Sequence, residues 1–495
     1  MLQQTSRRRL MAGAAAAVAM PWVARAAGPP AARSPSQAAW RDLARVGGWV
    51  VRPGDTAFHT LIRPQNLRWD TVVPRGVVMP RTAAQVSAAI GWARHHGLPL
   101  VAKSGGHSYA GCSTTQGLVI HTRMMRGVHV VGDDLVDIEG GALNNDIYTV
   151  LAAARSSIRP DGLAVTHGRC GGVGASAFLM GGGIGFAMRH WGMGCDLVRE
   201  VEVVLADGRI VVASARDNPD LFWAVRGGGG GNLGLATRWR LRAQPAEAVT
   251  VFRLSWDNGT EKAYPITARA LEAAPDRMGA RLAVSATRPG DPAPHRMELL
   301  GQIFGREEEA RAVLAPALAT APAARFFAEL PYWKAQQFLG TAGPPGRYAE
   351  SSLFASRLPD AYFAETLRHL RAWPGTSATA GVTLFQVGGR IGAVTPDASA
   401  YVHRDAAWLV NAVLNWSHLD SPATIRAALE WQQQMQASLA GVLATRSAYQ
   451  NFPDPALANP AEAYWGANLP RLRAIKREAD PDGVFTPPRR QGILA

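Results

Sequence analysis

Cysteine is nearly absent. Only Cys112, Cys170 and Cys195 occur in 495 residues, too few for a disulfide scaffold and odd in number, so at least one thiol stays unpaired. A Cys112 to Cys195 bridge stays open for a chain in an oxidising compartment. No C-x-x-C pair and no H-E-x-x-H pair is present, which argues against a metal site. No apolar run approaches the roughly 20 residues that span a bilayer, so no stable membrane anchor is expected. Lysine is scarce as well: four residues, against 52 basic residues in all. The formal charge of +14 rests on scattered arginines with no basic tract interleaved with aromatics, and a nucleic-acid partner is not expected. What remains is an ordinary globular composition, 47% hydrophobic and 18% charged, in a chain long enough for two or more domains.

The first 26 residues read Ser6-Arg7-Arg8-Arg9-Leu10-Met11, a weakly apolar run from Ala12 to Met20, and Ala24-Arg25-Ala26, a small-x-small cleavage site. This resembles a twin-arginine export signal, which implies periplasmic or secreted localisation and the twin-arginine machinery as a partner. Residues 27–39, rich in Pro, Ala and Ser, read as a flexible lead-in. Thr82 and Gly97 bracket an apolar-periodic helix over residues 83–96. Residues 98–103 then form a strand that runs into Lys103-Ser104-Gly105-Gly106-His107-Ser108-Tyr109.

That loop has two readings. Gly105 and Gly106 lack a Cβ and let the main chain approach a diphosphate with its N–H groups outward. The plainer reading is a strand-ending turn with an exposed histidine. A glycine-dense tract, residues 168–185, contains Cys170, and residues 201–205 and 209–212 flank Asp207-Gly208 as a hairpin. Gly229-Gly230-Gly231-Asn232-Leu233-Gly234 satisfies G-x-G-x-x-G, but a helix precedes it and a strand follows. The dinucleotide fingerprint needs the reverse, so a Rossmann site is rejected.

Composition shifts at residues 242–247. Beyond it, strands are expected at 249–256, 281–286, 297–304, 382–387 and 408–416, with helices at 261–273, 307–319, 361–373 and 423–439. That pattern is α+β, one antiparallel sheet with helices on one face. The last fifty residues are again turn-rich.

Four blocks then resemble the berberine bridge enzyme-like flavoproteins of the vanillyl-alcohol oxidase and p-cresol methylhydroxylase superfamily. They are Ser104 to Tyr109; Gly168-Arg169-Cys170-Gly171-Gly172-Val173-Gly174 with Gly181-Gly182-Gly183-Ile184-Gly185; Asp196 to Gly208 with Asp220 to Gly234; and Tyr449 to Asp454 with Tyr464 to Leu472, Lys476 and Asp480-Pro481. The resemblance implies a two-domain flavoprotein. Residues 40–244 and 443–495 would form a discontinuous FAD-binding domain, with a substrate domain at 245–442 between them.

It also implies bicovalent FAD, with His107 on the flavin C8 methyl and Cys170 on C6, the types that the chemistry needs because a neutral imidazole and a thiolate are nucleophiles. Ser104, Gly105, Gly106, Ser108, Val173, Gly174, Gly182, Gly183, Gly234 and Asn468 would complete the cofactor site. In the family, hydride passes from substrate to flavin N5 while a protein base takes the proton. Tyr449 falls in the base position, or packs as an aromatic beside the cofactor; as a base it needs a cation or donors to stabilise phenolate. Where family members carry a carboxylate, this chain has Thr383-Leu384-Phe385-Gln386-Val387-Gly388-Gly389 with no Asp or Glu. Gln386 there either orients a substrate hydroxyl or points outward from its strand. Val173 favours oxygen as electron acceptor. The expectation is an exported oxidase that acts on an alcohol or hemiacetal carbon of a sugar and releases hydrogen peroxide. The alternative is an oxidative cyclase, alcohol oxidase or dehydrogenase acting on a secondary metabolite.

Overall fold

Thr82 caps the helix Ala83–His95 by accepting a hydrogen bond from the Gln85 N–H at 3.2 Å, and Gly97 leaves it with φ 61°. The helix drops the chain onto the strand Leu100–Lys103, in a four-stranded sheet ordered Trp49–Val51, Gly76–Met79, Leu118–His121, Leu100–Lys103. The last three strands are parallel and the first is antiparallel to its neighbour. The computed structural model describes residues 34–157, 159–287, 291, 293–341 and 343–494. The export signal and nearly all of the expected lead-in lie outside them. Pro35–Ala495 forms a compact unit.

A second sheet is antiparallel, with spatial order Val128–Val131, Leu135–Glu139, Leu235–Arg242, Val198–Val204, Ile210–Ser214. The expected hairpin is its last pair, turning at Gly208 with φ 89°. The third sheet has seven antiparallel strands, ordered Ala324–Leu330, Val249–Trp256, His295–Ile303, Met278–Ala286, Ala380–Gln386, Trp408–Trp416, Arg347–Ala355. The first and last of these were not expected from the sequence. The helix expected at 307–319 is two short ones, Glu307–Val313 and Ala315–Leu318, because Pro316 cannot continue the first.

Side chains alternate across a strand, and the seven-stranded sheet uses this to separate its faces. Leu282, Val284, Val382, Leu384, Val410 and Leu414 pack with Tyr264, Leu271, Tyr362, Leu367, Trp431 and Met435 of the helices Thr260–Glu272, Asp360–Arg371 and Pro422–Val442. The opposite face carries Arg281, Thr383, Phe385, Asn411, Glu350 and Tyr348, as the register Arg281 to Phe385, Thr383 to Asn411 and Glu350 to Val413 requires. The fold is thus α+β, with a two-sheet N-terminal part, a helix-covered antiparallel sheet, and a C-terminal tail that returns to the first part. Ala448, Tyr464, Trp465, Leu472 and Ile493 of that tail share a core with Leu179, Leu221, Trp223 and Trp239.

Candidate active site

The loop after Leu100–Lys103 is held from beneath by Lys103, whose ammonium donates to the Leu61 and Arg63 carbonyls at 2.7 and 2.8 Å. Burial brings its pKa down to about 8. Gly106 sits at φ 69°, and a Cβ there would also strike Lys103. The loop interlocks with the tract around Cys170. A Cβ on Gly105 would lie 2.1 Å from the Gly172 carbonyl oxygen, and one on Gly174 would lie 1.8 Å from Ser104 Oγ. Glycine is the only residue that fits at either place. The His107 ring lies against Gly172, two residues after Cys170: a Cβ on Gly172 would stand 3.0 Å from His107 Nε2. Burial lowers the His107 pKa below its ordinary 6.5, so its ring is neutral at neutral pH. Cys170 Sγ is 3.0 Å from Thr341 Oγ1, and all three thiols are free.

Both loops open on one cleft, lined also by Gly230, Gly231, Asn232 and Gly234. Among the described residues, the main-chain N–H groups of Gly105, Gly106, His107, Ser108, Gly230 and Gly231 donate to no protein acceptor. The tail closes the glycine turn at residues 227–234. Gln450 Nε2 and Trp465 Nε1 donate to the Gly227 carbonyl at 2.7 and 3.0 Å, and the Ile493 N–H donates to Asn232 Oδ1 at 3.1 Å. Lys476, paired with buried Asp480, donates to the Asn232 and Phe485 carbonyls.

The residues singled out in the sequence divide into two groups. Ser104, Gly105, Gly106, His107, Ser108, Cys170, Val173, Gly174 and Gly234 line the cleft. Gly182, with φ 117°, packs beneath it against Tyr401 and Met193, and the Gly183 N–H donates to Tyr449 Oη at 2.9 Å. Asn468 lies elsewhere, donating to the Pro396 and Ser399 carbonyls. Gln386 also borders the cleft, but its side chain belongs to the helix-covered face of its strand, where its amide donates to the Leu271 carbonyl at 2.7 Å. Tyr449 borders the cleft, and its oxygen accepts from Gly183 and, at 3.3 Å, from Asn451, donors of the kind a phenolate needs. Burial raises its pKa above 10, which those donors only partly offset.

The polar face of the seven-stranded sheet and the loops against it add groups to which the sequence assigned no role. Phe385 and Phe452 line the cleft with ring centroids 6.0 Å apart. The Arg169 guanidinium lies between the Phe186 and Phe385 rings, 5.9 and 5.6 Å from their centroids. Glu350 accepts from Asn411 Nδ2 at 2.7 Å and lies beside the Tyr109 hydroxyl. Burial drives its pKa up to about 7 against the opposing effects of Asn411, Arg169 and Tyr109. Arg169 and Tyr109 stand inside the blocks that carry the resemblance, without a role assigned to them there, whereas Glu350 has no signature in the sequence.

Residues 74–214 match a family model described as a FAD binding domain, and residues 448–492 match one described as berberine and berberine like. An uncharacterized FAD-linked oxidoreductase of Bacillus subtilis (strain 168), YgaK, is 31% identical over 466 residues, 91% of this chain and 99% of its own. The carbohydrate oxidase of Microdochium nivale is 30% identical over 90% of this chain and 93% of its own. Its crystal structure with a substrate analogue gives a TM-score of 0.79 at 27% identity, covering 92% and 100% of the two chains. A glucooligosaccharide oxidase of Acremonium strictum, described with a 6-S-cysteinyl, 8α-N1-histidyl FAD, shares the fold at a TM-score of 0.81 and 24% identity, over 92% and 99% of the chains. With cofactor-type loops, a berberine-like tail and a relative matched end to end, the chain belongs to the berberine-like FAD-linked oxidoreductases and is an FAD-dependent enzyme.

Proposed function

We propose that the chain is an exported oxidase with bicovalently bound FAD that oxidises a hydroxylated or hemiacetal carbon of a sugar or oligosaccharide and passes the electrons to oxygen as hydrogen peroxide. The observation that carries this reading is the interlocking of the His107 and Cys170 loops on one cleft. The residues fit the cofactor. Unspent N–H groups of two glycine loops suit a diphosphate, a neutral imidazole and a thiol stand on the cleft wall, and Ile184, Phe186 and Leu235 supply apolar lining.

His107 and Cys170 are proposed as the two covalent anchors. Ser104, Gly105, Gly106, Ser108, Gly174 and Gly234 hold the cofactor through main chain and small side chains, and Val173 borders its oxygen access. Gly182 and Gly183 support this surface from below. Asn468 holds the segment at 396–399 from outside the cleft. The corresponding domain boundaries are 40–244 and 443–495 around 245–442. When bound, the flavin supplies the acceptor for two electrons and the hydrogen of the substrate carbon. The protein's own part is to orient the hydroxyl, exclude water and hold a proton.

The sugar assignment draws on the carbohydrate oxidase relative, and export draws on Ser6 to Ala26. Acid precipitation of purified enzyme tests the anchors. Flavin stays with the protein in wild type and in His107→Ala or Cys170→Ala, each of which keeps one bond, and is released only from the double variant. Release from wild type defeats the bicovalent reading. A peroxide-coupled panel of sugars against aromatic alcohols tests the substrate class, and rapid dye reduction without peroxide would make the enzyme a dehydrogenase. Replacement of Arg8 and Arg9 by Lys in the full chain leaves the enzyme in the cytoplasm if the twin-arginine route is used.

A further inference from the structure

Oxidation of an alcohol removes a proton as well as a hydride equivalent, and the cleft offers few groups that can take it. Phe385 and Phe452, the rings nearest the sheet wall, have no acceptor atom. Tyr449 Oη accepts from Gly183 and Asn451, but among the described residues no protein acceptor stands ready for its own proton, Gln386 is turned to Leu271, and Arg169 is a cation. His107 is assigned above to the flavin.

One polar cluster remains. Tyr109 follows the His107 loop, lines the cleft, and is clamped by ring contacts to Phe452 and Tyr348, with centroids 5.2 and 5.5 Å away. Its main chain is fixed too, since its carbonyl accepts from Trp69 Nε1 at 2.7 Å and Asn66 Nδ2 at 3.0 Å. The Tyr109 hydroxyl faces the Glu350 carboxylate, which stands two residues from Tyr348 on the same face of its strand and accepts from Asn411 Nδ2. Glu350 and Asn411 come from adjacent strands of one sheet, so the carboxylate is held on a rigid element.

We propose that Tyr109 and Glu350 form the proton-accepting pair of the enzyme. Tyr109 is the catalytic residue and Glu350 the positioning residue that acts through it. As the substrate C–H bond breaks and its hydrogen and electron pair leave to the oxidant, the O–H bond breaks and its electron pair becomes the new C=O bond. The freed proton binds Tyr109 Oη while the proton of Tyr109 moves to Glu350, so one carboxylate becomes one carboxylic acid and charge is conserved.

A phenol alone is a poor base at neutral pH, and burial holds the Tyr109 pKa well above 10. A concerted shift to Glu350 avoids a free phenolate. The titratable and charged groups facing Glu350 are Tyr109, Tyr348 and Arg169. Arg169 favours its ionised form, and enclosure places its titration near pH 7.

The inference rests on the alcohol-oxidising reading of the cleft, and the test keeps the two separable. Flavin reduction in the holoenzyme is followed anaerobically across pH with cellobiose, and with benzyl alcohol as second probe. The wild-type rate falls about tenfold per pH unit below an apparent pKa near 7. At pH 8, Glu350→Gln and Tyr109→Phe each lower it by about 10²-fold or more. Glu350→Gln also abolishes the acid limb, Glu350→Asp restores it, and Tyr449→Phe retains it.

A readout without substrate accompanies this: pH-difference infrared spectra of the resting protein show a carboxyl C=O band that titrates near pH 7 and is missing in Glu350→Gln. The proposal is overturned if Glu350→Gln, with flavin attached, keeps both limb and rate within about threefold, or if the infrared band does not depend on Glu350. Failure of cellobiose alone, with benzyl alcohol giving the limb, overturns the sugar reading and leaves the pair standing.

Discussion

Gly105 and Gly174 hold the site together through what they lack. Each would drive a Cβ into a neighbouring group of the partner loop, main chain at Gly172 or the Ser104 hydroxyl, at about 2 Å, and neither loop can move without shifting His107 or Cys170. Gly105→Ala is therefore expected to cost about 1–3 kcal/mol of stability, measured by thermal melting, and to lower the fraction of covalently bound flavin at the same time. A variant with wild-type melting and full flavin would show that the loops are not interlocked. Glu350 carries a second consequence. Its folded pKa of about 7 lies above the ordinary 4.5, so the folded protein binds this proton more tightly than the unfolded chain. The stabilisation is complete below pH 4.5, declines as pH rises through 7, and is gone above it. The stability of Glu350→Gln relative to wild type should therefore rise from pH 4.5 to 7 and level off, as read from denaturant midpoints at each pH. A flat difference would mean that the carboxyl titrates normally.

At the scale of elements, the tail and the glycine turn are one device. The turn between the helix Pro219–Val225 and the strand Leu235–Arg242 has glycines at φ 119°, 82° and 79° (Gly227, Gly229, Gly231), so nothing in its own sequence fixes its course. Lys476 fixes it by donating to Asn232, with Asp480 as its buried counter-ion, their side chains only 3% and 0% exposed. Lys476→Met leaves that carboxylate unpaired, and a loss of about 3–5 kcal/mol is expected in chemical denaturation. A loss below about 1 kcal/mol would assign the pair a surface-like role.

Elements with strong local signals were legible: Thr82 and Gly97 at a helix's ends, Asp207-Gly208 at a hairpin, and the alternation in Val249–Trp256. The strand Arg347–Ala355 was not. It follows a Gly- and Pro-rich stretch, and Ala349 and Ser351 through Ala355 are all buried, on both faces, so its residues do not alternate. Missing that strand concealed Glu350, because a carboxylate was sought only at 383–389, on a strand separated from it by Trp408–Trp416. The covalent anchors were legible for the opposite reason, since their chemistry depends on local sequence. The orientation of Gln386 was not legible because the face of its strand is set by its partners across the sheet.

Over the whole molecule, residues far apart in sequence share one core. Val136, Ile147, Val201 and Trp239 from the first part, Val249, Val251, Tyr332 and Trp333 from the middle, and Tyr464, Leu472 and Ile493 from the tail pack in a continuous cluster. The middle sheet also has its own core with the three helices, which would allow it to melt separately if the shared cluster were small. The shared cluster includes large aromatics whose polar atoms cross between the parts: Trp333 Nε1 donates to the Leu163 carbonyl at 3.1 Å, and Tyr332 Oη meets His167 Nε2 at 3.2 Å. Opening that junction would expose the rings and leave buried polar groups unpaired, each costing about 1–3 kcal/mol. The parts should therefore unfold together, and calorimetry of the holoenzyme should show one transition with calorimetric and van't Hoff enthalpies in agreement. Two resolved transitions would mean that the junction is weaker than its packing implies. Deleting residues 447–495 removes the tail's share of this core and the ties on Gly227 and Asn232. That chain should fail to retain flavin and should lose the cooperative transition, whereas a soluble, flavin-loaded product would show that the first part can close the site alone.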